Sequence, residues 1–206
     1  MPQIALTTFL KLCLFSEKRK QSEYRRYLTP GDGYDFYRSL KRCVAETTYG
    51  EKTYDYCVGK YLNPLKRASE RNLNREGLQS FVNWVRPLGQ DFFEPPEGVA
   101  SSPKGHLKVK LKPEVGIRIG AEKRVVAIWN TRTPELSQFV AGVGVQLLQS
   151  NLSAPPFDDC TFSLLDLRKN ASYFAQGENP HIAKFIFDEF NWADAFFEEN
   201  KKEEAA

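Results

Sequence analysis

The chain has 206 residues, 41% of them hydrophobic and 27% charged, with a formal net charge of +3. Those proportions exclude an intrinsically disordered chain, and no apolar run approaches the eighteen residues that suggest a membrane span. Charge is unevenly divided: residues 1–112 carry twenty Lys and Arg against twelve Asp and Glu, and residues 113–206 carry nine against fourteen.

In chain order, Met1–Phe15 places Ile4, Leu6, Phe9, Leu10, Cys13 and Leu14 on one face of a helix. It lacks a basic leader and Lys11 interrupts it, so it does not read as a signal peptide. A charged helix is expected over Glu17–Leu28, stopped by Thr29-Pro30-Gly31-Asp32-Gly33. Helical spacing resumes over Tyr34–Thr48 and again over Thr53–Leu62, with Gly50 placed as a C-cap between them. Asn63-Pro64 breaks the pattern, and Pro64 suits the first position of a short helix. Asn74 suits the N-cap of a helix carrying Leu78, Phe81, Val82 and Val85, which Pro87 and Gly89 end.

Residues 94–105 hold three prolines, two glycines and two serines and read as a linker. Beyond it the period changes from 3.6 to 2. Leu107, Val109 and Leu111 alternate with Lys108, Lys110 and Lys112, and Val115, Ile117 and Ile119 with Gly116 and Arg118. Arg124–Thr131 reads as a core strand and Thr133–Leu152 as a helix, in which Gly142 and Gly144 allow close approach to the sheet. Two strands, 161–167 and 171–175, follow. A last helix opens at Asn179-Pro180, and its acidic end is expected to fray from Glu198. The expected fold is α+β: a helical portion over 1–93, the linker 94–105, a small, mostly antiparallel sheet covered by two helices over 106–198, and a tail over 199–206.

Chemistry is sparse. Cys13, Cys43, Cys57 and Cys160 form no C-x-x-C pair, and only His106 and His181 could join them. The reading is therefore no metal, no cofactor and no disulfide framework, in a cytoplasmic protein. No G-x-S-x-G, G-x-G-x-x-G or P-loop is present.

Eight of the nine tyrosines fall between Tyr24 and Tyr61, among Lys and Arg. A binding face is expected in which Arg25, Arg26, Arg38, Lys41 and Arg42 supply charge, and Tyr24, Tyr27, Tyr34 and Tyr37 supply rings for stacking. Lys108, Lys110 and Lys112 add a row of charge on one strand face, a pattern that also protects an edge strand. The leading expectation is a non-catalytic binding protein for an anionic partner, nucleic acid first and an acidic protein surface second.

A second reading is a metal-dependent nuclease-like or phosphoryl-transfer site using Glu114, Asp166 and Lys169. Asp166-Leu167-Arg168-Lys169 resembles the acidic-x-lysine strand of restriction-endonuclease-like nucleases in its acid alone: Arg stands where Lys is needed, and Val125–Asn130 carries no acid. The family is not assigned on that ground. A third reading is an assembly module that docks through the acidic carboxyl-terminal half.

Overall fold

The computed structural model describes residues 2–28, 34–89, 91–175, 177 and 179–204, with the backbone alone for 201–204. Thr29–Gly33, the expected breaker, lies outside the described residues. The protein is α+β, as its sequence implies. Among the described residues, eight strands form two sheets: β1 (Gln3–Ala5), β3 (Gly98–Ser101) and β4 (Lys108–Leu111) in the order β1-β4-β3, and five others in the order β2-β5-β6-β7-β8. The five are β2 (Phe92–Phe93), β5 (Val115–Ile119), β6 (Glu122–Trp129), β7 (Cys160–Asp166) and β8 (Ala171–Phe174). The helices are α1 (Leu6–Cys13), α2 (Glu17–Arg25), α3 (Arg38–Thr48), α4 (Tyr54–Cys57), α5 (Ala68–Val85), α6 (Gln138–Leu152) and α7 (Pro180–Glu204). None of them is long and apolar enough to cross a membrane among the described residues.

Strand alternation explains the layering. Val125, Ala127 and Trp129 of β6, with Phe162 and Leu164 of β7, face one core, which α1, α2, α6, α7 and the small sheet complete. Val126 and Ile128, with Leu165, Val115 and Ile117, face a second core completed by α3, α4 and α5. Side chains two apart share a face, so a strand that is apolar at every position must be covered on both sides. The crossover through α6 makes β6 and β7 parallel, whereas β2–β5, β5–β6 and β7–β8 are antiparallel. Gly120 turns the β5–β6 hairpin at φ +62.

Several expectations change. Gln3–Ala5 is a strand, not the start of the first helix; it pairs parallel to β4, and the Lys108 N–H donates to the Pro2 carbonyl at 3.1 Å. The stretch read as a linker contains β3, paired along its whole length with β4. Residues 1–93 do not form one helical portion, because α1 and α2 pack on one side of the large sheet and α3–α5 on the other. Asn74 lies inside α5, fully buried, where it accepts from the Leu40 N–H at 2.9 Å and donates to the Phe36 and Glu70 carbonyls. Asn63-Pro64 forms a turn rather than a helix start. A Cβ on Gly144 would meet Leu10 and Leu164, as close packing on the sheet requires, while one on Gly142 would meet Ile182 of α7. α7 continues to Glu204 instead of fraying at Glu198.

Asp194 fastens α7 to the β3–β4 turn. Its buried carboxylate accepts from the Ser102 hydroxyl at 2.5 Å and from the Lys104 and His106 N–H groups at 2.7 and 3.0 Å. Removing the acceptor strands three donors, each costing about 1–3 kcal/mol when left unsatisfied. Asp194→Ala is therefore expected to lower unfolding free energy in urea by about 3 kcal/mol or more, and Asp194→Asn by less. A loss below about 1 kcal/mol in the alanine variant would show that this anchor is not rigid.

Candidate anion-binding interface

The expected tyrosine–cation face is divided by the fold. Tyr24 has 0% exposure and packs against Trp192, Phe196 and Phe197 of α7 at centroid distances of 5.5, 5.7 and 5.2 Å. It has no free face to stack on a ligand, which corrects the role expected of it. The neighbouring Lys20 is also buried, donating to both Glu189 oxygens at 2.6 and 2.7 Å. Tyr27 packs against the same core, while Tyr37 packs against the other one. Arg25 and Arg26 are exposed on α2, Arg26 pairing with Glu23 at 3.0 Å, and so belong to a different layer from Arg38 and Arg42. Lys41 pairs with Asp35 at 3.1 Å.

Lys108 and Lys110 face outward from β4, and Lys112, just past its end, pairs with Glu97. β4 is the central strand of its sheet, so edge protection does not account for these lysines.

What the structure does assemble lies around α3 and α4. Directly after α4 the chain widens into a π-helical turn, Val58–Leu62, in which the Asn63 N–H donates to the Val58 carbonyl at 2.9 Å. Such turns are rare and occur often at functional sites. The wider turn puts Tyr56, Lys60 and Tyr61 on one side, the two rings 6.4 Å apart and nearly perpendicular. Arg42 reaches across from α3 and lies over Tyr61 at 4.6 Å. Lys60 lies 5.0 Å from the Tyr56 centroid and 5.3 Å from that of Tyr61, and Lys52 lies 5.7 Å from Tyr56.

The phenol oxygens complete the array. Lys60 donates to the Tyr56 oxygen at 2.6 Å, and the Tyr61 hydroxyl donates to Glu46 at the same distance. Its bond to the Tyr56 oxygen raises the pKa of Lys60 above its usual value, and the bond to Glu46 raises that of Tyr61. Arg42, Lys52 and Lys60 make no ion pair among the described residues. A separate element of the same kind stands at Tyr34, 63% exposed, whose hydroxyl donates to the buried Glu70 while Arg67 covers its ring at 5.0 Å. A cleft of about 510 Å³ beside α4 adds Tyr54, Arg75 and Arg168, although Arg168 is paired with Glu76 at 2.9 Å.

Each cation–ring contact contributes roughly 0.5–1 kcal/mol at an exposed site. That suffices to hold a side chain in place without neutralising it. The ring faces are thus occupied by the protein's own cations, and the array presents charge more than stacking area.

The carboxylate–lysine alternative does not come together. Glu114 and Asp166 sit at the same end of the large sheet, but β6 lies between their strands. At 4.7–4.9 Å per strand the backbones are roughly 10 Å apart. Each carboxylate has other duties. Glu114 accepts from the Ile128 N–H at 2.8 Å, and Asp166 accepts from the Arg168 and Lys169 N–H groups at 2.8 and 3.2 Å. Burial raises the pKa of Asp166, against the pull of those two N–H groups. Lys169 pairs with Glu135 at 3.3 Å. Among the described residues no three His, Cys, Asp or Glu side chains converge to hold a metal ion.

Burial pushes the Glu114 carboxyl from 4.5 up to about 7, with Lys41 and the Ile128 N–H opposing. Between these two values the folded state holds a proton that the unfolded state releases. The resulting stability is fully present below the unfolded pKa and is lost as pH rises through the folded one, about 3 kcal/mol in all. Glu114→Gln, which keeps an oxygen for Ile128, is expected to flatten the fall in urea-unfolding free energy between about pH 5 and 8. An unchanged slope in the variant would assign the titration to another group.

No protein-family model matches the chain, and no curated protein resembles it to a significant degree.

Proposed function

We propose that the protein is a non-catalytic binding protein whose α3–α4 surface engages a polyanion, with a nucleic-acid phosphate backbone as first partner and an acidic protein surface as second. The observation that carries this reading is the set of Arg42, Lys52 and Lys60, held over Tyr61 and Tyr56 and without carboxylate partners among the described residues. Cations fixed by ring contacts lose little side-chain freedom on meeting a phosphate, and a guanidinium stacked on its face keeps its N–H edges free to donate. The surrounding layer supports the same sign, since residues 34–89 hold ten Lys and Arg against six Asp and Glu. Because the ring faces are covered, recognition proceeds through charge, and duplex and single strands of equal charge density are bound alike, without a preference for unpaired bases.

The test is fluorescence anisotropy with a 20-base-pair duplex (an oligonucleotide long enough to span about two helical turns), the matching single strand and polyglutamate. Wild-type binding to nucleic acid is expected to weaken between about 50 and 200 mM salt, with a log–log slope of roughly −0.9 per phosphate neutralised. Replacing Arg42, Lys52 and Lys60 by Ala is expected to make that slope shallower by roughly 2–3. No binding of either oligonucleotide at the lowest salt would remove nucleic acid as the partner. Binding of polyglutamate alone would move the assignment to an acidic protein.

A further inference from the structure

A second concave surface lies on the other side of the large sheet, between α6, the edge strand β8 and the first turns of α7. It encloses about 980 Å³, at the upper end of the range of roughly 300–1,000 Å³ for small-molecule sites. Its chemistry is unlike that of the rest of the surface. From Leu136 to Phe157 there is no Asp, Glu, Lys, Arg or His, in a chain with 27% charged residues. A helix packed against a core ordinarily carries charges on its outer side. α6 carries Gln138, Gln146, Gln149 and Ser150 there instead, and every described residue lining the groove is uncharged.

We infer that this groove binds a neutral, polyhydroxylated ligand of the saccharide class. A charged ligand would surrender its hydration and find no counter-charge among the described lining residues, which is costly in proportion to its burial. Side-chain amides and hydroxyls, in contrast, each donate and accept, as do the hydroxyls of a sugar. The amides of Gln138, Gln146 and Gln149 and the hydroxyl of Ser150 make no hydrogen bond within the described structure, so their capacity is open to a ligand.

Aromatic walls supply the other half of the recognition. Phe139 is 44% exposed at the groove, and Tyr173, opposite Leu164 in the register, turns its ring to the same side of the sheet. Phe139 meets Phe185 edge to face at 5.1 Å, whereas Phe174, opposite Ser163, lies under Arg124 on the other face of the sheet. Rings next to a row of free amides match the two sides of a pyranose, one of C–H groups and one of hydroxyls. The open edge of β8 also offers backbone groups that an extended peptide could pair with. That edge is only four residues long, however, and the unpaired polar groups are mostly on α6.

The test uses the full-length, isotope-labelled chain and amide chemical shifts. Maltose, cellobiose and the N-acetylglucosamine disaccharide are titrated separately to about 20 mM, a range that detects millimolar affinity. Glucose 6-phosphate and a capped, uncharged hexapeptide of alternating threonine and valine are titrated alongside. At least one neutral disaccharide is expected to give saturable shifts at Gln146, Ser150 and Tyr173. Gln146→Ala and Phe139→Ala should each weaken it about tenfold, a hydrogen bond or a ring contact being lost. Lys110→Ala, on the small sheet, should leave it unchanged. No saturable shift with any sugar, equal binding of glucose 6-phosphate, or shifts with the peptide alone would each overturn the assignment. Oligonucleotide binding at α3–α4 is read separately, so either result stands without the other.

Discussion

Burial of β6 on both faces is the constraint from which the rest of the architecture follows. Val125 to Trp129 put apolar groups alternately on each side of the large sheet, and β7 beside them adds Phe162 and Leu164 on one side and Leu165 on the other. Neither face can be left to water, at roughly 25 cal/mol for each Å² of apolar surface. The chain meets this by dividing its helices, with α1, α2, α6 and α7 on one side and α3 to α5 on the other. Division of the helices also divides the charge. The α3–α5 layer keeps an excess of Lys and Arg, whereas α7 holds seven Asp and Glu against three Lys. Several of those acids are consumed internally, Glu189 by Lys20, Asp188 by Lys184 and Asp194 by the β3–β4 turn.

The parts of the fold legible in the sequence are those with many turns or alternations in one segment. α3, α6, α7 and β4 to β8 fall close to where periodicity puts them. The parts that were not legible depend on partners distant in the chain. Three-residue β1 exists because β4 offers it a parallel edge more than a hundred residues away, and no local pattern announces that. Asn74 follows the same logic: an amide before an apolar run reads as a cap, but the groups it satisfies include Leu40 and Phe36 on a different segment. A proline- and glycine-rich stretch likewise became β3 because its pairing with β4 outweighs weak local strand preference.

The candidate binding face was legible in composition and not in membership. The sequence places tyrosines and cations together between residues 24 and 61, yet it cannot separate rings that point inward from rings that point out. Tyr24 fills a gap against α7, a contact about 170 residues distant, and is lost to the surface. Tyr56 and Tyr61 come to share one side through a π-helical turn, for which helical periodicity gives no warning. The uncharged stripe of α6 was visible as a long interval without Asp, Glu, Lys or Arg. Only the fold shows that part of it faces outward, along the open side of β8.

Native-state hydrogen exchange tests most directly whether one doubly covered strand pair organises both layers. Amides of Val125 to Trp129 and of their partners in β7 are expected to exchange only through global unfolding, with the free energy measured by denaturant, and the buried amides of α5 and α6 to approach the same limit. Faster exchange in β6 than in the helices, or separate unfolding of the α3–α5 layer and the α6–α7 layer, would contradict the account.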